Sequence, residues 1–371
     1  MFQNRSPAFA RMRAGASAPA VPDAAFASAS AAERVGWVDA AKGMCIVLVV
    51  MMHSTLGVGE TFGREGWLHG FVAFAKPFRM PDFFLIAGLF AAGLMTRPLR
   101  EFLDRKVLHF LYFLVLWTLI QFALKEGGLL LRDPALGLQR LALTLVEPYG
   151  TLWFMALLPV LFVVTRLVWR LPVALVLAAG AALEIAHLSS DWTLLHEFPR
   201  RFVYFYAGAK LAPHVFAFAA RVAGAPGALA LAGLAAWAAF NGALVFAGLG
   251  EAPGWSLLAG TLGALAVVAI AVRLTPTRAG RAFAALGRQS LAIYLAFFLP
   301  MAITRIALAR TGIVGDVGLA SAIVTAVAVL VPFALARIAA GTPLRFLFER
   351  PAWARLPRVK GSSRSLQAAS S

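Results

Sequence analysis

Cysteine, acidic side chains and any early apolar run are what this chain has least of. Its single cysteine, Cys45, excludes a framework of intramolecular disulfides. Only 17 Asp and Glu stand against 34 Lys and Arg, and charged residues make up 14% of 371. That is too little charge for a surface bathed in water. No apolar run of signal-peptide length precedes Gly36. Residues 1–33, rich in Ala, Ser and Pro with Arg5, Arg11 and Arg13, are expected to form a disordered basic cytoplasmic arm, with an organellar transit peptide as the lesser alternative. The sequence holds no zinc-ligand cluster, phosphate-binding glycine loop or serine elbow, so no metal is expected. No repeat of 20 to 50 residues recurs, which weighs against a transporter built from inverted repeats.

What is present is apolar. Hydrophobic residues reach 61% and mean hydropathy +0.79, which describes an all-α, polytopic integral membrane protein. Runs near twenty residues give about ten expected transmembrane helices, at 37–58, 68–95, 107–124, 152–169, 171–188, 201–220, 228–248, 255–273, 283–307 and 314–338. Residues 34–350 form the expected membrane domain and 351–371 a cytoplasmic tail. Most Lys and Arg fall in alternate connections, and the positive-inside rule then puts both termini in the cytoplasm. The net charge of +17 is therefore read as a topology signal. Basic residues meet aromatics only at span ends, which argues against a nucleic-acid partner.

The segment from Val38 to Ser54 departs from its apolar surroundings by carrying Asp39, Lys42 and His53. Asp, Lys or Arg at the centre of a membrane helix costs about 2.5–3.5 kcal/mol on the insertion scale, so such residues are usually functional. Lys42 and His53 are eleven positions apart, about three turns and roughly 16 Å along one helix face. A neutral imidazole is the usual base for taking a proton from a hydroxyl. A histidine that merely hydrogen-bonds across spans fits the same position, and the residues alone leave both readings open. Asp39, one turn before Lys42, reads as an ion-pair partner that can orient it. Cys45 reads as a small inert hydrophobe, with an acyl-thioester role as the minor alternative.

Several segments in order carry a resemblance. They are DAAKG at Asp39–Gly43 followed by His53, RMPDFFLIAG at Arg79–Gly88 and LREFLDRKVLHF at Leu99–Phe110. Further on come TLWFMALLP at Thr151–Pro159, RFVYFYAGA at Arg201–Ala209 and LGRQSLAIYL at Leu286–Leu295. Together they resemble the membrane-bound acyltransferase 3 family from Asp39 to about Pro351. The resemblance implies transfer of an acyl group, most often acetyl, from cytoplasmic acyl-coenzyme A to a hydroxyl of an envelope carbohydrate or glycolipid. It implies a plasma-membrane location, the inner membrane of a bacterium, and leaves oligomerisation open. It also makes His53 the general base and puts a basic residue ten intervening positions before it, where this chain has Lys42. Arg105 and Lys106 fall at the family's basic motif, with Lys42, as the implied coenzyme contacts.

The match has departures. Lys42 stands where many members have arginine, and lysine binds phosphate as a point charge without the bidentate fork. The spacing around Arg105 and Lys106 differs, and His109 occupies the place of a second arginine. Ala87 and Ala296 replace a small hydroxyl residue and a frequent histidine. For the acceptor, Arg79 and Asp82 beside Pro81 are expected to line a polar cavity facing His53, because a proline frees a carbonyl that must find a partner, with a purely structural ion pair as the equal alternative. Trp153 and Tyr149, with Glu147, are expected at the mouth of the fourth span, where aromatic faces suit both an interface and a sugar ring. A proton-coupled transporter and a catalytically silent envelope component are the alternative classes.

Overall fold

The computed structural model describes residues 36–357, and these contain helices and turns with no strand. The arm expected at 1–33 and residues 358–371 of the tail lie outside the described residues. In chain order the helices are α1 (Gly36–Phe62), α2 (Trp67–Ala75), α3 (Arg79–Gly88), α4 (Ala92–Met95), α5 (Leu99–Arg132), α6 (Pro134–Leu143), α7 (Trp153–Leu167) and α8 (Val173–Ile185). They continue with α9 (Thr193–Lys210), α10 (Ala212–Gly224), α11 (Gly227–Phe246), α12 (Trp255–Leu274), α13 (Arg278–Arg288), α14 (Ser290–Ala296), α15 (Phe298–Thr311) and α16 (Val317–Ala339). Six of them, α1, α5, α7 together with the helical turn Gly150–Leu152 before it, α11, α12 and α16, are long and apolar enough to cross a membrane. A seventh span results if α14 and α15, bent by 53°, are counted as one.

Of the remaining expected spans, 171–188 is the single shorter helix α8, and the others are broken for local reasons. The run 68–95 divides into α2, α3 and α4, with Pro77 in the first gap and Pro81 in the first turn of α3. Pro81 has no N–H to continue a helix from α2, but its fixed φ suits a helix start. Asn241 of α11 donates to the Phe74 carbonyl at 2.8 Å, so the interrupted backbone is bonded inside the bundle. The run 201–220 breaks at Leu211, two residues before Pro213. Pro300 is four residues beyond Ala296, so its ring opposes the last carbonyl of α14 and accounts for the bend there.

Helix α1 is the axis of the described residues and packs against α13, α16, α12, α3 and α15. Its closest neighbour is set by two glycines. A Cβ on Gly43 would lie 1.9 Å from the Phe283 carbonyl oxygen, and one on Gly287 would lie 1.8 Å from that of Asp39. The α1 and α13 backbones therefore touch, as small residues allow where lipid supplies no hydrophobic drive between helices. Gly88 and Gly208 make the same arrangement for α3 and α9, at 2.3 Å and 2.1 Å from the opposing carbonyls. Aromatic pairs fill the space around α7. Phe83 meets Phe154 at 4.6 Å and 87°, and Phe162 meets Phe205 at 4.8 Å and 82°. Edge-to-face pairs of this kind contribute about 0.5–1.5 kcal/mol each beyond simple burial.

Candidate active site

The N-terminal half of α1 carries the first group of residues. Asp39 is 7% exposed, and Arg288 of α13 places a guanidinium nitrogen 3.9 Å from its carboxylate. Arg288 is invisible as a partner from sequence because the glycine contact between α1 and α13 is what brings it there. Lys42 extends its Nζ over the Phe90 ring, 5.7 Å from the centroid. Lys42 also stands on the wall of a cleft of about 80 Å3, together with Cys45, Phe83, Ile86, Ala87 and Ser290. Apart from Lys42 and Ser290 that wall is apolar or weakly polar. Ala87, one of the departures noted above, contributes its methyl group to it.

A second group sits on the π-helical turn Leu103–Leu108 inside α5. A π turn inserts one extra residue into the helical repeat and often marks functional positions. It gives a physical reason for the altered spacing around Arg105 and Lys106. Arg105 pairs with Glu101 at 3.1 Å and is more than half exposed. Lys106 lies 4.6 Å over the Phe162 ring, and the charges of Lys42 and Arg105 both reach it. Lys42, Arg105 and Lys106 are thus one cluster of positive charge drawn from two helices.

The chain after α16 holds this turn in place. Arg350, 5% exposed, is paired with Asp104, and the Leu356 amide donates to the same carboxylate at 2.8 Å. Tyr112 and Trp117 of α5 donate to the Phe346 and Leu347 carbonyls at 3.0 Å and 2.9 Å. Arg355 donates to the Arg350 carbonyl at 3.0 Å. Sequence reading assigned this stretch to membrane-domain end and solvated tail, since nothing in it forecasts contacts with a helix some 240 residues earlier.

His53 occupies the other half of α1. Its ring is partly buried and tilted against Phe297, with centroids 5.5 Å apart at 33°. Arg79 of α3 and Lys125 of α5 are the cations whose fields reach it. Asp82 is fully buried and faces the Cys45 thiol and Arg79. Neither Asp82 carboxyl oxygen meets strict hydrogen-bond geometry, and Arg79 Nε is likewise buried without a partner. Such atoms are few in a folded protein and concentrate where polar work is done. Trp153 packs near Phe84 at 6.4 Å, and Tyr149 lies 5.2 Å beneath Lys125 Nζ. Glu147 accepts the Thr193 amide at 3.1 Å, which ties the start of α9 to the segment before α7.

Arg79 thus lies within reach of His53, whereas Asp82 sits beside Cys45 and Arg79, about two turns of α1 away from the histidine, and Tyr149 and Trp153 belong to the segment that opens α7. Lys125 and Gln121 are neighbours of this group that sequence reading passed over. A polar amide in the middle of an apolar span is the signal that marks Gln121.

Among family models, one described as an acyltransferase domain matches residues 35–337. No curated protein and no solved structure matches the chain.

Proposed function

This chain belongs to the acyltransferase 3 family, and we propose on that premise that it moves an acyl group, acetyl in the simplest case, from acyl-coenzyme A to a hydroxyl of an envelope carbohydrate or glycolipid. In this reading about ten segments, the broken ones included, traverse the plasma membrane of a bacterium with both termini cytoplasmic. The observation that carries the proposal is the arrangement along α1. A cluster of cations, Lys42, Arg105 and Lys106, lies at one end, a cleft with apolar walls follows, and a partly buried histidine stands about three turns on.

Each part suits one piece of the donor. Phosphates need cations, and Lys42, Arg105 and Lys106 supply them from two helices. A pantetheine arm is thin and weakly polar, which matches a cleft walled by Cys45, Phe83, Ile86 and Ala87. Asp39 holds the Lys42 end of α1 through Arg288. At the other end the acceptor hydroxyl gives its proton to His53 as its oxygen attacks the thioester carbonyl. The carbon–sulfur bond then breaks, an ester forms, and the coenzyme thiolate leaves and is protonated. In this reading Arg79, whose charge reaches His53, stabilises negative charge on the carbonyl oxygen during attack. Asp82, Trp153 and Tyr149 complete the acceptor side.

Transfer of labelled acetyl from acetyl-coenzyme A to envelope extracts tests the reading. Wild-type protein is expected to label the extract, and His53→Ala to reduce labelling at least about 100-fold, the scale of general-base catalysis. Equal labelling by the two proteins would remove His53 from its role.

A further inference from the structure

The half of α5 away from its π turn carries a polar cluster that the transfer chemistry leaves unused. Gln121 is fully buried, and neither its Oε1 nor its Nε2 has a partner. A buried amide open at both ends calls for an explanation, and a ligand that supplies both partners is one. Gln121 faces Gly150, whose φ of +59° disfavours a side chain. A Cβ there would stand 3.5 Å from Gln121 Oε1 and 3.3 Å from Lys125 Nζ. Lys125 lies one turn beyond Gln121, and its Nζ sits 5.2 Å over Tyr149 and 5.3 Å over Phe298. Phe298 follows Phe297, which packs on His53, and the charge of Lys125 reaches that histidine. The space around Gly150 is therefore polar, partly aromatic and adjacent to the proposed base.

We propose that Gln121, Lys125 and Gly150, flanked by Tyr149, form a subsite that reads a vicinal diol of the acceptor. A carboxamide donates one hydrogen bond and accepts another in a single plane, and two neighbouring hydroxyls each offer an oxygen and an O–H. Gln121 engages both hydroxyls, Lys125 donates to one of their oxygens, and Gly150, lacking a side chain, leaves the two polar groups uncovered. The proposal rests on the acyl-transfer reading and specifies its acceptor. It makes Gln121 a specificity-determining residue with no part in coenzyme binding.

The test uses full-length protein in detergent, labelled acetyl-coenzyme A, and envelope extract with and without periodate oxidation, which cleaves vicinal diols. With wild type, oxidised extract is expected to lose most of its acceptor activity. Gln121→Leu is expected to need at least tenfold more native extract for half-maximal transfer, while acetyl-coenzyme A binding stays as in wild type. Melting in the absence of acceptor is expected to be unchanged or higher, since an unpaired amide has been removed. Gly150→Ala is expected to reproduce the acceptor defect. The subsite is refuted if oxidised extract accepts as well as native, if Gln121→Leu keeps wild-type acceptor dependence, or if only Lys125→Met weakens the acceptor, which would indicate an anionic group instead. Failure of the underlying reading looks different: wild type then labels neither extract, or His53→Ala labels as well as wild type.

Discussion

Replacing Gly287 by alanine places a methyl group where the α1 and α13 backbones touch. The new Cβ would lie 1.8 Å from the Asp39 carbonyl oxygen and 2.9 Å from the Gly43 amide nitrogen. Ordinary contact begins near 3.4 Å, so 3.4 less 1.8, about 1.6 Å, must be recovered by separating the helices. The obstacle is backbone, which has no rotamer to change. Overpacking a core costs about 1–3 kcal/mol and sometimes more, and this site belongs at the upper end. The displacement falls on the turn that carries Asp39 and Lys42, and misplacing reacting groups by about 1 Å can reduce a rate about 100-fold. Gly287→Ala is therefore expected to melt several degrees below wild type in detergent and to lose acetyl transfer by about two orders of magnitude. Gly233→Ala is the control, because nothing lies within 4 Å of its Cβ position in α11 and alanine favours a helix over glycine. If Gly287→Ala melted and transferred acetyl like Gly233→Ala, the close approach of α1 and α13 would be wrong.

Two further outcomes address the donor side. Arg350→Met removes a buried guanidinium from Asp104 and leaves that carboxylate with the Leu356 amide. Breaking a buried pair costs about 3–5 kcal/mol, and partial exposure of Asp104 puts this one near the lower bound. A fall in melting temperature should accompany weaker acyl-coenzyme A binding in titration, because the π turn that bears Arg105 and Lys106 loses its anchor; unchanged binding would separate the Arg350–Asp104 pair from the cation cluster. Lys42→Met should raise KM for acyl-coenzyme A about 10- to 100-fold, the worth of a hydrogen bond to a charged group, with kcat little changed. Lys42→Arg should keep or lower KM, and an equal loss in both variants would mean that Lys42 acts through packing on Phe90 and not through charge.

The parts of this molecule that are local in sequence were the legible ones. His53 and Lys42 stand on one face because both belong to one uninterrupted helix, and the apolar runs that became α1, α5, α7, α11, α12 and α16 are long enough to declare themselves. Breaks were partly legible: Pro81 announced a disturbance, and the altered spacing near Arg105 was the trace of a π turn. Window counting nevertheless merged α2, α3 and α4, because hydropathy sums composition and does not register where a proline restarts the backbone. Contacts between distant residues were not legible at all. Gly287 beside Asp39, Arg288 on its carboxylate and Arg350 on Asp104 each join residues separated by more than 200 positions, and no pattern within a single segment encodes such a meeting.

The broken helices around α1 follow from the work proposed for it. A continuous apolar helix satisfies its own backbone and offers a neighbour only side chains. Where α2 ends and α3 begins, the chain instead brings polar groups inside the bundle: Asn241 closes one carbonyl, Arg79 Nε is buried without a partner, and Asp82 is buried against the Cys45 thiol. These groups lie along α3, whose Phe83, Ile86 and Ala87 also wall the cleft that starts at Lys42. In the proposed transfer, an acyl group passing along α1 would thus have apolar wall beside its chain and the Arg79 guanidinium as the cation available to its carbonyl. A straight span in place of α2 and α3 would supply the wall alone, so the interruption at Pro77 and Pro81 serves the proposed transfer by bringing Arg79 toward His53.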